Sequence, residues 1–237
     1  MVSFRPHLAK RALKFGSAFL CFLLCFAIGP VLLAQDTNAV LDAWFAAQSQ
    51  IRTLSADFTQ IRSLKTLVQP LTATGHLWFA PPNQFRWELG QPAQTIALRH
   101  ADDMYVIYPR LKRAEHYPLG ASAPREWRDA MSLLDAGFPQ TRREFESEFQ
   151  IQSLTQTNGS WSLALQPRSA AARQVMPQLR LTLSTNDLSL TATELVFVDG
   201  SRMQNLLTHL QTNAPLDQGI FQWHPPADFK VTEPFAK

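Results

Sequence analysis

Cysteine is nearly absent. The 237-residue chain has two, Cys21 and Cys25, and both fall in an apolar N-terminal run. Residues 35–237 therefore contain no disulfide, no thiol nucleophile and no cysteine metal ligand. Glycine is scarce, at nine residues, and neither a Gly-rich phosphate loop nor a G-x-S-x-G turn occurs. Beyond the N-terminal run the histidines are His76, His100, His116, His209 and His224, and no HEXXH or HxxxH spacing joins them. No metal is expected. His76 and His116 fall in predicted strands, where a surface or rim position explains them. Asp102 and Asp103 beside His100 fit a polar turn. Arg142 and Arg143 are offset by Glu144, Glu146 and Glu148, a poor anion site. No constellation for catalysis emerges, so no enzyme and no cofactor are expected.

What the chain does contain begins with an export signature. Arg5, Lys10, Arg11 and Lys14 precede "FGSAFLCFLLCFAIGPVLLA" at Phe15–Ala34. A basic head, an apolar run and a small terminal residue describe a secretory signal peptide over residues 1–34, cut after Ala34. A retained membrane anchor is the alternative. Leucine precedes both cysteines, which does not suit acylation. Setting the four basic residues aside takes the net charge from +3 to −1, and nothing then argues for nucleic acid. Residues 35–237 are long enough for one domain with a sizeable core.

Asp36–Leu54 has helical spacing, with Thr37 or Asn38 as cap and Val40, Leu41, Trp44, Phe45, Ile51 and Leu54 on one face. From "SADFTQIRS" to about His116 the chain reads as successive strands at roughly ten-residue intervals. Ala56, Phe58 and Gln60 share one face there. Gly75–Ala80 pairs with Phe85–Leu89 across "PPNQ". A helix over "APREWRDAMSLLDAG" follows, capped by Ser122 and ended by Gly137. "PQTRREFESEF" reads as a charged connection and "SAAAR" as a short loop. "NG" at Asn158–Gly159 and "DG" at Asp199–Gly200 mark hairpins, and "LRLTLS" alternates with Leu179, Leu181 and Leu183 on one side. The predicted fold class is α+β, a large antiparallel sheet with two substantial helices. One oddity stands out: "GHLWFAPPNQFRWE" at Gly75–Glu88 is apolar on both faces of its first strand, whereas packing against one core needs only one.

The order of these motifs resembles the LolA family of periplasmic lipoprotein carriers. "IRTLSADFTQ", "GHLWFAPPNQFRWELGQP", "MYVIYPRLKRAEHYPL", "WSLALQP", the "DG" hairpin and "APLDQGIFQWHPPADFKV" run in sequence through nearly all of the chain after the signal. The resemblance implies an incomplete, half-open antiparallel β-barrel with helices forming a lid over its concave apolar face. It implies a carrier that takes acylated lipoproteins from an ATP-driven inner-membrane extraction complex and passes them to an outer-membrane acceptor. It also implies a periplasmic, monomeric protein with no cofactor.

Carried onto this sequence, the family's cavity wall maps to Phe58, Leu77, Phe79, Phe85, Trp87, Tyr105 and Ile107. Alternation puts Phe85, Trp87 and Leu89 on one face and leaves open which face is concave. Trp44, Trp127, Met131 and Leu134 map to the lid, with ordinary helix-to-sheet packing as the alternative. Where relatives often carry a lid-latching arginine this chain has Pro81, and Arg86 lies on the face opposite Phe85 and Trp87, so the latch is not transferred. Two other functions stay open: binding of another lipid in an outer-membrane assembly pathway, or an exported structural or interaction protein without lipid.

Overall fold

A computed structural model of the chain describes residues 37–119 and 136–234. Among them, twelve strands form one sheet. Helix α1 (Thr37–Ser49) leads into β1 (Leu54–Ser63), followed by β2 (Leu71–Ala80), β3 (Gln84–Leu89), β4 (Thr95–His100), β5 (Asp103–Tyr108) and β6 (Arg113–Pro118). Helix α2 (Arg142–Glu148) precedes β7 (Phe149–Thr157) and β8 (Ser160–Pro167). Helix α3 (Ala170–Val175) precedes β9 (Gln178–Ser184), β10 (Leu190–Val196), β11 (Arg202–Thr212) and the short β12 (Lys230–Thr232). The spatial order is β12-β6-β5-β4-β3-β2-β1-β11-β10-β9-β8-β7, antiparallel throughout except where β12 runs parallel to β6. The outermost strands are β7 and β12, so the sheet is unclosed. The fold is α+β, as expected.

Its hairpins follow their turn chemistry. Asn158 and Gly159 both take positive φ, 47° and 78°, which is what a tight two-residue turn between right-twisted strands requires. "PPNQ" delivers the expected register, with Leu77 opposite Trp87 and Phe79 opposite Phe85. Residues Leu54, Ala56, Phe58 and Gln60 of β1 are all buried on one face.

Three local expectations change. The first helix stops at Ser49, so Ile51 lies beyond it and Leu54 opens β1. "PQTRREFESEF" is not a bare connection: α2 forms there. Thr141 accepts from the Glu144 amide and its hydroxyl donates to the Glu144 carboxylate, an N-cap written in the sequence as T-x-x-E. Arg142 pairs with Glu146 one turn on and with Asp42 of α1, and Phe145 is the buried anchor. "SAAAR" likewise starts α3, with Ser169 as its cap. The helix expected over Ser122–Gly137 lies outside the described residues apart from its last two positions.

Two apolar clusters occupy opposite faces of the sheet. The larger joins α1 (Val40, Leu41, Trp44, Phe45) and α2 (Phe145) to inner-face residues of β1, β2, β3, β8, β9 and β10. Trp44, Phe45 and Phe145 meet with ring centroids 4.9–5.5 Å apart. The smaller lies behind the β4–β6 arm, where Leu98, Ile107 and Ala114 are covered by Trp223 and Phe229 of the C-terminal segment. This segment is tied down by Arg86, which donates to the Ile220 carbonyl (3.0 Å), and by β12. The outer face of the β4–β6 arm thus has a core of its own, while Trp78, the outward apolar residue of β2, lies outside that cluster and packs on His76 (4.1 Å).

Candidate functional site

The inner face encloses more space than its own side chains fill. A cavity of about 370 Å3 is bounded on one side by Phe85, Trp87, Ala97, Met104 and Val106 of β3–β5. Leu181, Leu190, Leu195, Met203 and Leu207 of β9–β11 form the facing side, with Phe138 at its edge. From β5 to β9 there are seven neighbour-to-neighbour steps in the strand order, which a flat sheet would spread over roughly 34 Å. Val106 and Leu181 nevertheless line one cavity. The sheet must therefore curl strongly, and the cavity is the space inside the curl. Trp87, Ala97, Val106, Leu195, Met203 and Leu207 are only half-buried, so this apolar wall remains partly uncovered by the described residues.

The registers explain which side chains face in. Phe85 pairs with Arg99 and Trp87 with Ala97; Ala97 then pairs with Val106 and Arg99 with Met104. Cross-strand partners share a face, so the inward set continues from Trp87 through Ala97 to Val106. The same rule corrects two of the expected residues. Tyr105 and Ile107 pair with Leu98 and Ile96 and point outward into the smaller cluster, where Tyr105 stacks on His116 (4.7 Å) and meets Trp223 (5.3 Å). They sit in the right strand with the wrong parity.

The other expected residues divide. Leu77, Phe85 and Trp87 line the cavity. Phe58 stands behind Trp87, ring centroids 3.9 Å apart, and supports it. Phe79 stacks on Phe138 (5.0 Å) beside the cavity. Trp44 is fully buried between α1 and α2 and takes no part in the cavity wall. Trp127, Met131 and Leu134 lie outside the described residues. Pro81 ends the β2 side of the turn. Arg86 faces outward as expected. The arginine that the register turns inward is Arg99, in a neighbouring cleft with Pro82, Asn83, Phe138 and Glu144.

One polar feature crosses the cavity wall. Gln60 donates to Asn205 (3.1 Å), and Asn205 donates to Thr193 (3.0 Å). The three residues sit side by side on β1, β11 and β10, and all three line the cavity. Gln60 and Asn205 are buried. Each amide has more hydrogen-bonding capacity than this row uses. Sequence reading placed Gln60 on one face with Ala56 and Phe58 but gave no reason for a polar residue there. Long-range pairing of β1 with β11 supplies its partner.

Titratable groups cluster on the outer face. Asp57 accepts from His76 (2.6 Å) and His209 (2.9 Å), and those hydrogen bonds hold its carboxyl below the usual range. His116 bridges Asp103 (2.7 Å) and Glu233 (3.2 Å). Burial pulls its imidazolium down, but the two carboxylates outweigh burial and hold it above its ordinary value. These links between strands lie on the face away from the cavity. Tyr117 and Glu115 of β6, paired with the inward Met104 and Val106, share the cavity's face instead; burial, with Glu115 beside it, pushes Tyr117 up to about 12.

Known proteins are similar to this chain. An outer-membrane lipoprotein carrier protein of Dechloromonas aromatica is 23% identical over 207 residues, covering 87% of this chain and 92% of that protein. A second, from Chromohalobacter salexigens, is 30% identical over 103 residues, covering 41% of this chain and 49% of that protein. The crystal structure of a LolA superfamily protein from Nitrosomonas europaea superposes with a TM-score of 0.40 at 9% identity, covering 77% of this chain and 97% of that one. The family described as outer membrane lipoprotein carrier protein LolA matches residues 49–224, about three quarters of the chain, and the protein belongs to that family.

Proposed function

We propose that the protein is an exported periplasmic carrier that shields the acyl chains of lipoproteins inside its curled sheet and moves them from the inner to the outer membrane. The observation that carries this reading is the cavity itself, an apolar, partly uncovered space lined from both arms of the sheet. Family membership supplies the cargo class. Residues 1–34 act as the cleaved export signal in this reading. Donor and acceptor are the ATP-driven extraction complex and the outer-membrane receptor that serve such carriers.

The energetics suit a shuttle. Each methylene withdrawn from water is worth about 0.8 kcal/mol, so one long acyl chain is worth on the order of 10 kcal/mol. Such a chain does not cross water unaided at a useful rate. A carrier has to match most of that burial without exceeding what the acceptor offers. An open apolar cavity does so by simple partition, and transfer then runs downhill with no nucleotide on the carrier.

Native mass spectrometry of the protein recovered from a Gram-negative host is the direct test. A bound acylated lipoprotein or lipid is the expected result. A protein that is free of acyl ligands and binds no hydrophobic dye would sink the carrier reading. Val106→Glu should abolish dye and cargo binding, while Tyr105→Phe on the opposite face should leave them intact. Equal effects of the two would show that the cavity is not the site.

A further inference from the structure

We propose that one end of the sheet is a docking tip for an anionic lipid surface. Eight large apolar side chains are exposed among the described residues, and five of them, Leu67, Val68, Leu71, Val175 and Val198, gather at this end. They come from three segments that hydrogen bonds tie together. The Lys65 amide donates to Ser201 Oγ (3.2 Å), joining the β1–β2 loop to the β10–β11 turn. The Val198 amide donates to the Val175 carbonyl (3.0 Å), joining that turn to the end of α3. Val68, at the crown of the loop, is as exposed as a side chain can be, at 102%.

Charge selects the occupant. Arg62 and Lys65 are exposed beside the apolar crown. Arg202 adjoins them, shared with Glu194. Besides Glu194, which Arg180 also holds, the acid at this end is Asp199, whose carboxylate accepts from the amide and hydroxyl of Ser201 (2.8 and 2.9 Å) and is held low by those bonds. Apolar side chains ringed by exposed cations suit the interface of an anionic bilayer, where the chains enter the acyl boundary and the cations meet headgroup phosphates. Most of the chain does not share this bias, since its net charge beyond residue 34 is −1.

Position gives the tip a use. The cleft under it, lined by Arg62, Leu64, Val175, Val198 and Arg202, is also lined by Met203, a wall residue of the apolar cavity. A bilayer docked at the tip would lie against the end of the space proposed to hold acyl chains. The docking itself does not depend on what that space carries.

The test places an environment-sensitive dye at Val68→Cys in a chain with Cys21→Ser and Cys25→Ser. A matching chain carries the dye at Thr157→Cys, at the opposite end of the sheet. Vesicles of phosphatidylcholine alone, and of phosphatidylcholine with an equal part of phosphatidylglycerol, are the probes. The expected result is a blue shift at residue 68 with the anionic vesicles only. It should be reversed by salt, weakened about thirtyfold in apparent affinity by Arg62→Gln with Lys65→Gln, and absent at residue 157. Comparing the two dye positions removes any contribution from residues 1–34, which both chains share. No shift with either vesicle, or equal shifts at both positions or with both vesicles, would overturn the proposal; the first outcome would assign the tip to a protein partner. Dye binding in the cavity, measured on the same preparations, reports separately on the carrier reading.

Discussion

Phe58 lies across Gly75, its partner in the β1–β2 ladder, so closely that a Cβ on Gly75 would stand 2.2 Å from the ring. The same Cβ would stand 2.1 Å from the Glu88 carbonyl oxygen. A glycine is required here by space, because ring and backbone both occupy the place of a side chain. Phe58 in turn supports Trp87 at the cavity wall.

Gly75→Ala should therefore destabilise the fold by about 1–3 kcal/mol, the usual cost of overpacking. Adding Phe58→Leu should not restore it, because the Glu88 contact persists. Chemical denaturation of the single and double variants checks this. Recovery in the double variant would show that the ring alone sets the constraint.

Trp44 is fully buried, and its indole N–H has no hydrogen-bond partner. Two terms oppose one another in Trp44→Phe. The smaller ring loses packing volume, but an unpaired donor that costs about 1–3 kcal/mol to bury is removed. The net change should lie within about 1 kcal/mol. Trp44→Ala removes the same donor but the whole ring with it, so the packing loss dominates and it should cost roughly 3–5 kcal/mol. Thermal unfolding of both variants separates a packing role from a polar one.

The Gln60–Asn205–Thr193 row predicts non-additivity. Asn205→Leu leaves Gln60 and Thr193 without their partner and should cost about 1–3 kcal/mol. Gln60→Leu alone should cost a similar amount. The double variant replaces both amides with apolar groups and should fall well short of the sum. A double-mutant cycle in denaturant gives the coupling directly.

His116 fastens β12 to the sheet through Glu233 and Asp103, and its folded pKa lies above its unfolded value. A raised folded pKa means that the charged form favours the native state. The contribution is thus complete below the ordinary histidine value of about 6.5 and is lost as pH rises through the folded value. Hydrogen exchange at Lys230–Thr232 should accelerate over that window. In His116→Gln the same amides should exchange with no step there.

Local chemistry made much of the sheet legible. Asn-Gly and Asp-Gly turns and the apolar alternation of β8 and β9 define pairings between neighbours, and these formed. Alternation alone gives two faces and does not say which is inner, so Tyr105 and Ile107 were assigned one residue out of step with Met104 and Val106. Counting register through the two-residue turn at Ala101–Asp102 from Trp87 would have found Val106. The far wall, from Leu181 to Leu207, could not be read locally, because it meets β3–β5 only through the curl of the whole sheet. Helix α2 was missed for its charge, although Thr141 and Glu144 already spelled its cap.

A closed barrel has its radius fixed by strand number and shear, since every strand is hydrogen-bonded on both sides. The sheet here ends at β7 and β12 and carries no such constraint. Its diameter is set by side-chain packing between the two arms. Small changes of twist, spread over many strands, would widen or narrow the interior without breaking a ladder. Capacity in this fold is thus an elastic variable, governed by twist and packing rather than by strand count.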